Sequence, residues 1–420
     1  VLYNADDGNA GNGWEGFGDT LQLTAGVGVN PSSVAVGRID ADLQQDIVVS
    51  NRGTPGNAAN DSVSVLLIDD PAALTFSTSA TTSFTVGDEP ADIIIADLDG
   101  DGVLDIATAD AGSDSVTIAW NAGVGTGPGW VPVITQPVEL PEEDDAPLSL
   151  RPGDTNADLF SFIATANAGT NTIGLIQVNP DRTTAVLPNT PAGAGPIELI
   201  VADLNLDGDD DIVTVNRNDS SITIVLNATA LSPTLAVGAP SDLPVPTTTS
   251  LPLSIAAGDF DNDASGDIDL AILADGVIKV LRNDLFNGQL AFTPIADQPG
   301  GPAPLLVRAA DLNADGRDDV VTIAESTGAL ALAQSEGTGG TSRMAAPINI
   351  LLAEAFAPAC AGDINSDGDT NASDFVILAG NFGAAVSPST GGDLNGDGFV
   401  NAADFVILAG NFGCDAGGLS

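Results

Sequence analysis

The 420-residue sequence predicts a mainly β chain: a β-propeller of six or seven four-stranded blades, followed at the C-terminus by a small α-helical module. Three observations carry the prediction. First, a proline followed seven residues later by an acidic loop recurs six times, from Pro31, Pro90, Pro147, Pro196, Pro252 and Pro304, with starts 49 to 59 residues apart. Second, short β-branched runs separated by turn residues fill each interval without helical periodicity, the signature of antiparallel meanders. Third, a different repeat, 30 residues long, replaces the first beyond about Pro347. A unit of roughly 50 residues is too short to close a core of its own, so stacked blades are expected rather than separate sandwiches.

Each interval has the same grammar. A first apolar run such as Ile93-Ile94-Ile95 leads into the acidic loop, and a second follows it, as in Asp105-Ile106-Ala107-Thr108. After a Gly/Asn/Asp/Ser turn comes a third, such as Ser221 to Asn227, and a looser fourth precedes the next proline, as in Phe84-Thr85-Val86-Gly87. The chain opens in mid-repeat: Val1 to Asn4 matches a third strand (compare Val280 to Asn283), and Leu21 to Thr24 stands where a fourth should be. The expectation is a half-unit over 1–30 and six full units from about residue 31. The half-unit closes the ring, forms part of a seventh blade, or pairs with a neighbouring molecule through its unpaired strand edge.

Charge narrows the function. There are 58 acidic residues against 10 basic ones, a formal charge of −48, and no His. Of the acids 49 are Asp and 9 are Glu; the bases are nine Arg and a single lysine, Lys279. Without His there is no Ser-His-Asp or Cys-His chemistry and no imidazole metal site. So negative a chain repels nucleic-acid phosphate and anionic membrane, so no nucleic-acid partner and no membrane insertion is expected. Asp, the short carboxylate of turns and calcium loops, dominates, and a fold this acidic calls for cations to neutralise it.

The loops supply the place. Three are complete: Asp97, Asp99, Asp101, Gly102 and Asp105; Asp203, Asn205, Asp207, Gly208 and Asp211; Asp311, Asn313, Asp315, Gly316 and Asp319. Side chains at positions 1, 3 and 5 converge, glycine permits the sharp turn, and the last Asp closes a shell of hard oxygens suited to Ca2+. A fourth, Asp259, Asp261 and Asp263, runs on through Gly266 to Asp269 with about two extra residues. In the first interval Arg38 replaces the leading Asp beside Asp40, Asp42 and Asp46, and a guanidinium there stands in for the metal. The third keeps Asp154, Asn156 and Asp158 but has Leu159 and Phe162 at the glycine and closing positions, and reads as a plain turn.

These loops, with their proline lead-ins, resemble the FG-GAP/VCBS repeat family over roughly residues 1–345. The resemblance implies a β-propeller with calcium in the blade loops, and members serve in adhesion, lectin-like binding and some polysaccharide lyases.

The C-terminal repeat places oxygens at positions 1, 3, 5, 9 and 12 of two EF-hand-type loops: Asp363, Asn365, Asp367, Asn371 and Asp374, then Asp393, Asn395, Asp397, Asn401 and Asp404. The same nine residues, Phe-Val-Ile-Leu-Ala-Gly-Asn-Phe-Gly, follow each loop, whose last Asp opens a short helix at its positive dipole end. Two such segments, at residues 360–415, resemble a type I dockerin, which implies docking onto a cohesin-like domain. Loop positions 10 and 11, here Ala372-Ser373 and Ala402-Ala403, depart from the Ser-Thr pair of cellulosomal dockerins, so calcium sites transfer but a particular cohesin does not. In all, five or six Ca2+ sites are expected, three or four in the propeller and two in the module.

Cys360 and Cys414 bracket the module and read as one disulfide clasp. Closing a loop of 54 residues contributes roughly 4 kcal/mol in the chain-entropy model and implies an oxidising, extracellular setting. Residues 346–359 read as a linker and 416–420 as a tail. Catalysis is not expected: the clustered aspartates have calcium roles, Tyr3 is the sole tyrosine, and neither Gly123 to Gly129 nor Lys279 sits in a phosphate loop. The sequence therefore predicts a secreted or cell-surface, non-enzymatic interaction protein, a rigid propeller carrying a docking tail. The alternatives are a filament subunit polymerising head to tail with further copies of itself, and a carbohydrate-binding adhesin or lyase that takes a surface glycan.

Overall fold

All six repeat prolines open a strand: Pro31–Gly37, Pro90–Ala96, Pro147–Asp154, Pro196–Ala202, Pro252–Gly258 and Pro304–Ala310. Proline lacks a donor for the ladder and is tolerated at a strand's first residue. The preceding residue takes a left-handed conformation in five of the six, at Asn30, Glu89, Ala146, Gly195 and Ala303 (φ 54, 51, 46, 66 and 47°). That turn swings the chain from one sheet into the next. In the first five sheets the register then shifts by one residue just past the proline, a bulge that marks where the strand begins regular pairing.

The computed structural model describes residues 2–4, 17–20, 28–40, 44–54, 60–70, 75–76, 82–121, 134–154, 161–227, 241–244, 251–260, 266–284, 290–295, 297–301, 303–312, 316–324, 329–333, 335–336, 343–344, 348–351, 372–382, 384, 399–401 and 408. Six sheets with four strands in chain order follow one another, and we number them blades 1 to 6; in blades 1 and 6 a separate two-stranded hairpin, Ile68–Asp70 with Thr75–Phe76 and Ser335–Glu336 with Arg343–Met344, lies between the third and fourth strands. Blade 2 runs Pro90–Ala96, Asp105–Asp110, Ser115–Trp120 and Ile134–Glu139. In blades 3 and 5 the outer edge is shared by two short strands, as with Thr184–Val186 and Thr190–Pro191. The fold is a β-propeller. At the N-terminus Leu2–Asn4 pairs with Phe17–Thr20, whereas the expected partner, Leu21 to Thr24, lies outside the described residues.

The core lies between blades. Second strands such as Asp105–Asp110, Asp211–Asn216 and Asp269–Ala274 are buried along their whole length, because each is central in its sheet and covered on both faces. Between blades 2 and 3, Ile94, Ala107, Ala109 and Ile118 pack against Leu150, Ile163 and Ile176. Between blades 4 and 5, Val213, Val215 and Ile224 meet Ile255, Leu270 and Ile272. In blades 2 and 3 alanines stand at alternate second-strand positions, Ala107 and Ala109, then Ala164 and Ala166, whereas in blades 1 and 4 the second strand carries β-branched residues instead. Each such Ile or Leu, wholly removed from water, contributes roughly 1.5–3 kcal/mol.

The chain divides into two units, Val1–Ile323 with Ala331–Ile348, and Ala324–Leu330 with Asn349–Ser420. In the second, the helix Ala372–Asn381 ends in a turn in which Ala384 N–H donates to the Asn381 carbonyl at 2.8 Å. Leu378, Val400 and Leu408 form its buried cluster. Leu378 and Leu408 occupy the same place in the two copies of the nine-residue run, so the repeat supplies its own core.

Candidate metal centre

The acidic loops join the first and second strands of their blades, and three of them share hydrogen bonds. The N–H of Gly102, Gly208 and Gly316 donates to Oδ2 of Asp97, Asp203 and Asp311 at 2.9, 3.0 and 2.9 Å. Asp101 N–H donates to Asp99 Oδ1 at 3.1 Å, and Asp207 N–H to Asn205 Oδ1 at 2.9 Å. The three glycines have φ of 85, 93 and 85°, a region that an L side chain rarely enters, although a β-carbon at Gly102 or Gly208 would meet open space. Conformation, not crowding, demands glycine there.

Carboxylate oxygens of Asp97, Asp99 and Asp105 lie within 4.8 Å of one another. Asp97 Oδ1 is buried without a hydrogen-bond partner. Several carboxylates turned inward, one oxygen unsatisfied and only hard oxygen donors are what Ca2+ requires, so the residues fit it. Asp97, Asp99, Asp101 and Asp105 would hold the ion, whose contribution is charge neutralisation and a fixed loop rather than reaction chemistry.

The closing aspartates do something the spacing does not announce. Asp105 Oδ2 accepts from Leu98 N–H at 3.1 Å and its Oδ1 from Asn121 N–H at 2.7 Å. Asp211 repeats this with Leu204 and Asn227, and Asp269 with Phe260 and Asn283. Asp319 does so with Leu312 and Ser335, and Asp46 with Ile39 and Ile68. One wholly buried carboxylate thus staples loop position 2 to the end of the third strand in five blades. Blade 3 has Phe162 there instead, buried in the core, with Gly153 making room for its ring. Burial, reinforced by Asp99 and Asp101, pushes the Asp105 carboxyl up to about 7; burial does the same for Asp211, also about 7, and Asp46, about 6. A dication beside Asp105 or Asp211 would pull these values back down.

Neighbouring loops are tied together. Asp154 N–H donates to Asp210 Oδ2 at 2.8 Å, and Asp259 N–H to Asp318 Oδ2 at 3.0 Å, each reciprocated by a backbone bond. Asn121 Nδ2 reaches the Ile39 carbonyl and Asn283 Nδ2 that of Leu204, each one blade back. Arg182, from blade 3, pairs with Asp99 and Asp101 of blade 2. Sequence reasoning singled out none of these, because each joins residues about 55 or more apart.

Of the remaining predicted ligands, Asp259, Asp269, Asp311 and Asp319 are described, while Asp261, Asp263, Asn313 and Asp315 lie outside the described residues. So do Asp42, Asn156, Asp158 and Leu159 of the two loops read as metal-free, and Asp363, Asn365, Asp367, Asn371, Asp393, Asn395, Asp397 and Asp404 of the module, with Cys360 and Cys414. Asp374 falls in the helix, and Asn401 follows the buried Val400.

These features define a β-propeller with acidic inter-strand loops and a separate C-terminal module. Family models place the parts: residues 263–322 and 311–372 match the FG-GAP-like repeat, and residues 361–412 match the dockerin type I domain. The chain carries FG-GAP-like repeats and a C-terminal dockerin type I domain. No curated protein matches it. Among solved structures it is similar to a protein from Lactobacillus plantarum, at 14% identity and a TM-score of 0.53 over 80% of this chain and 87% of that one. It also resembles the periplasmic gluconolactonase of Pseudomonas aeruginosa, at 17% identity and a TM-score of 0.49 over 76% and 85%. The first of these likenesses speaks to the fold alone. The repeats and the dockerin domain support a role in protein interaction or assembly with calcium binding. No helix among the described residues is long and apolar enough to cross a membrane.

Proposed function

We propose that this is a secreted, non-enzymatic assembly protein whose propeller is a calcium-braced platform and whose dockerin domain attaches it to a cohesin-like partner. The observation that carries the reading is apolar surface on the dockerin unit. Phe375, Val376 and Phe382 on and beside the helix, and Phe399, are 42, 66, 58 and 56% exposed. Aromatic and aliphatic groups left in water on so small a unit suit the buried centre of a protein interface. The propeller loops, with Asp97, Asp99, Asp101, Asp105, Asp203, Asn205, Asp207, Asp211, Asp259, Asp269, Asp311 and Asp319, take calcium for rigidity, and their carboxylates are committed to loop and staple bonds rather than to acid–base work.

The test is capture by a panel of immobilised cohesin domains, using the full chain with calcium and with EDTA. We expect capture in calcium, loss in chelator, and at least a tenfold loss for Val376→Asp combined with Phe382→Asp. Failure of every cohesin to retain the calcium-loaded chain would contradict the reading.

A further inference from the structure

Arg182 sits in the turn between the third and fourth strands of blade 3, held by Asn179 and Thr183: Arg182 N–H donates to the Asn179 carbonyl at 2.8 Å and Asn179 N–H to the Thr183 carbonyl at 2.9 Å. Its backbone is left-handed, with φ of 67°. The side chain reaches back one blade into the acidic loop of blade 2. Nε donates to Asp99 Oδ2 at 2.6 Å, and Nη2 to Asp101 Oδ2 at 3.1 Å and to the Asn121 carbonyl at 3.0 Å. The guanidinium carbon stands 5.7 Å from the centre of the Trp120 ring. The Asp99 side chain is only 2% exposed and that of Arg182 28%, so this ion pair is partly shielded from solvent, unlike an ordinary surface pair. In blade 4, among the described residues, no basic side chain pairs with Asp203 or Asp207.

We propose that Arg182 is a built-in competitor for the cation of the blade 2 loop: it neutralises Asp99 and Asp101 when the loop holds no metal and so lowers the loop's calcium affinity below that of blade 4. The inference rests on the calcium reading of the loops. Four carboxylates attract the guanidinium strongly. Once a dication shares them, the net negative charge falls by two and the guanidinium meets a like charge a few ångströms away. Arg182 therefore stabilises the metal-free loop more than the loaded one, and by linkage it weakens binding. It also couples loading to the seam between blades 2 and 3, since the cation loosens the pairs that span it. The blade 2 loop stays folded without calcium and fills after that of blade 4.

Terbium, a calcium substitute excited through tryptophan, reports on this loop because Trp120 lies beneath the same guanidinium. The full chain is titrated as wild type, Arg182→Gln and Arg182→Lys, and each is melted in EDTA. Gln is shorter and uncharged but keeps a β-carbon at the left-handed position, so the turn is under the same backbone constraint. We expect Arg182→Gln to bind terbium at the tryptophan-sensitised site about tenfold more tightly, with calcium displacing it at correspondingly lower concentration. Its melting temperature in EDTA falls below wild type, and in saturating calcium the gap narrows. Arg182→Lys, a point charge without the planar fork, lies between the two. Unchanged or weaker sensitised binding in both variants overturns the proposal while leaving the calcium reading intact. A wild-type chain with no sensitised emission and no calcium effect on melting overturns both.

Discussion

Asp110 stands where blades 1, 3 and 4 carry Asn51, Asn167 and Asn216, and all four are buried at the end of a second strand. Thr117 Oγ1 donates to Asp110 Oδ2 at 2.6 Å and Gly87 N–H does so at 3.2 Å, yet burial still pushes the carboxyl up to about 6. The folded state therefore holds this proton more tightly than the unfolded chain, whose carboxyl titrates at 3.8. Stability from this residue is fully present below that value and is lost as pH rises to about 6. Asp110→Asn removes the titration and keeps a side chain that the equivalent positions accept. Chemical denaturation should find the variant more stable than wild type above pH 6, by at most about 3 kcal/mol, with the difference shrinking toward pH 4. A pH-independent difference would mean that burial leaves the Asp110 carboxyl at its unfolded value.

At the scale of the element, the acidic loop is held twice, by its glycine hydrogen bond within and by the closing Asp beneath. Blade 5 isolates the second device, because Asp269 ties Phe260 N–H to Asn283 N–H across the end of the sheet. Asp269→Ala strands two buried donors and should cost about 2–5 kcal/mol even in EDTA, where no metal contributes. An effect seen only with calcium present would make Asp269 a ligand and nothing more. Here lies the boundary of what the sequence discloses. The repeat prolines, the Asp-x-Asp-x-Asp-Gly spacing and the paired nine-residue runs are local patterns, and each surfaced as a strand start, a hydrogen-bonded loop or a matched core leucine. The staple under the loop was partly legible: the closing Asp stood out, but its backbone partners include residues such as Asn121, 16 positions further on. Arg182 was not legible, since nothing in the turn around it points to Asp99, 83 residues away. Glu198 is similar. It accepts from Ile255 N–H and from Arg308 Nη1, and so links blade 4 to blades 5 and 6, with no motif to mark it.

Across the whole molecule, a formal charge of −48 is spread over the C-terminal module and over blades that meet through narrow apolar seams of Ile, Val and Ala. Those seams favour compactness, while crowded carboxylates at the loops oppose it. Calcium held in the loops as proposed above would remove the opposition where it is concentrated, and metal binding there would be folding free energy for the blades. In the dockerin unit the core among the described residues is Leu378, Val400 and Leu408, and on the same proposal so small a unit would depend on its ions more steeply. The measurement that tests this most directly is scanning calorimetry of the full chain, stripped of metal and then titrated with calcium. The account predicts that calcium shifts the propeller transition upward by many degrees and that the dockerin unit gains its own cooperative transition only when loaded. Superimposable traces with and without calcium would contradict it.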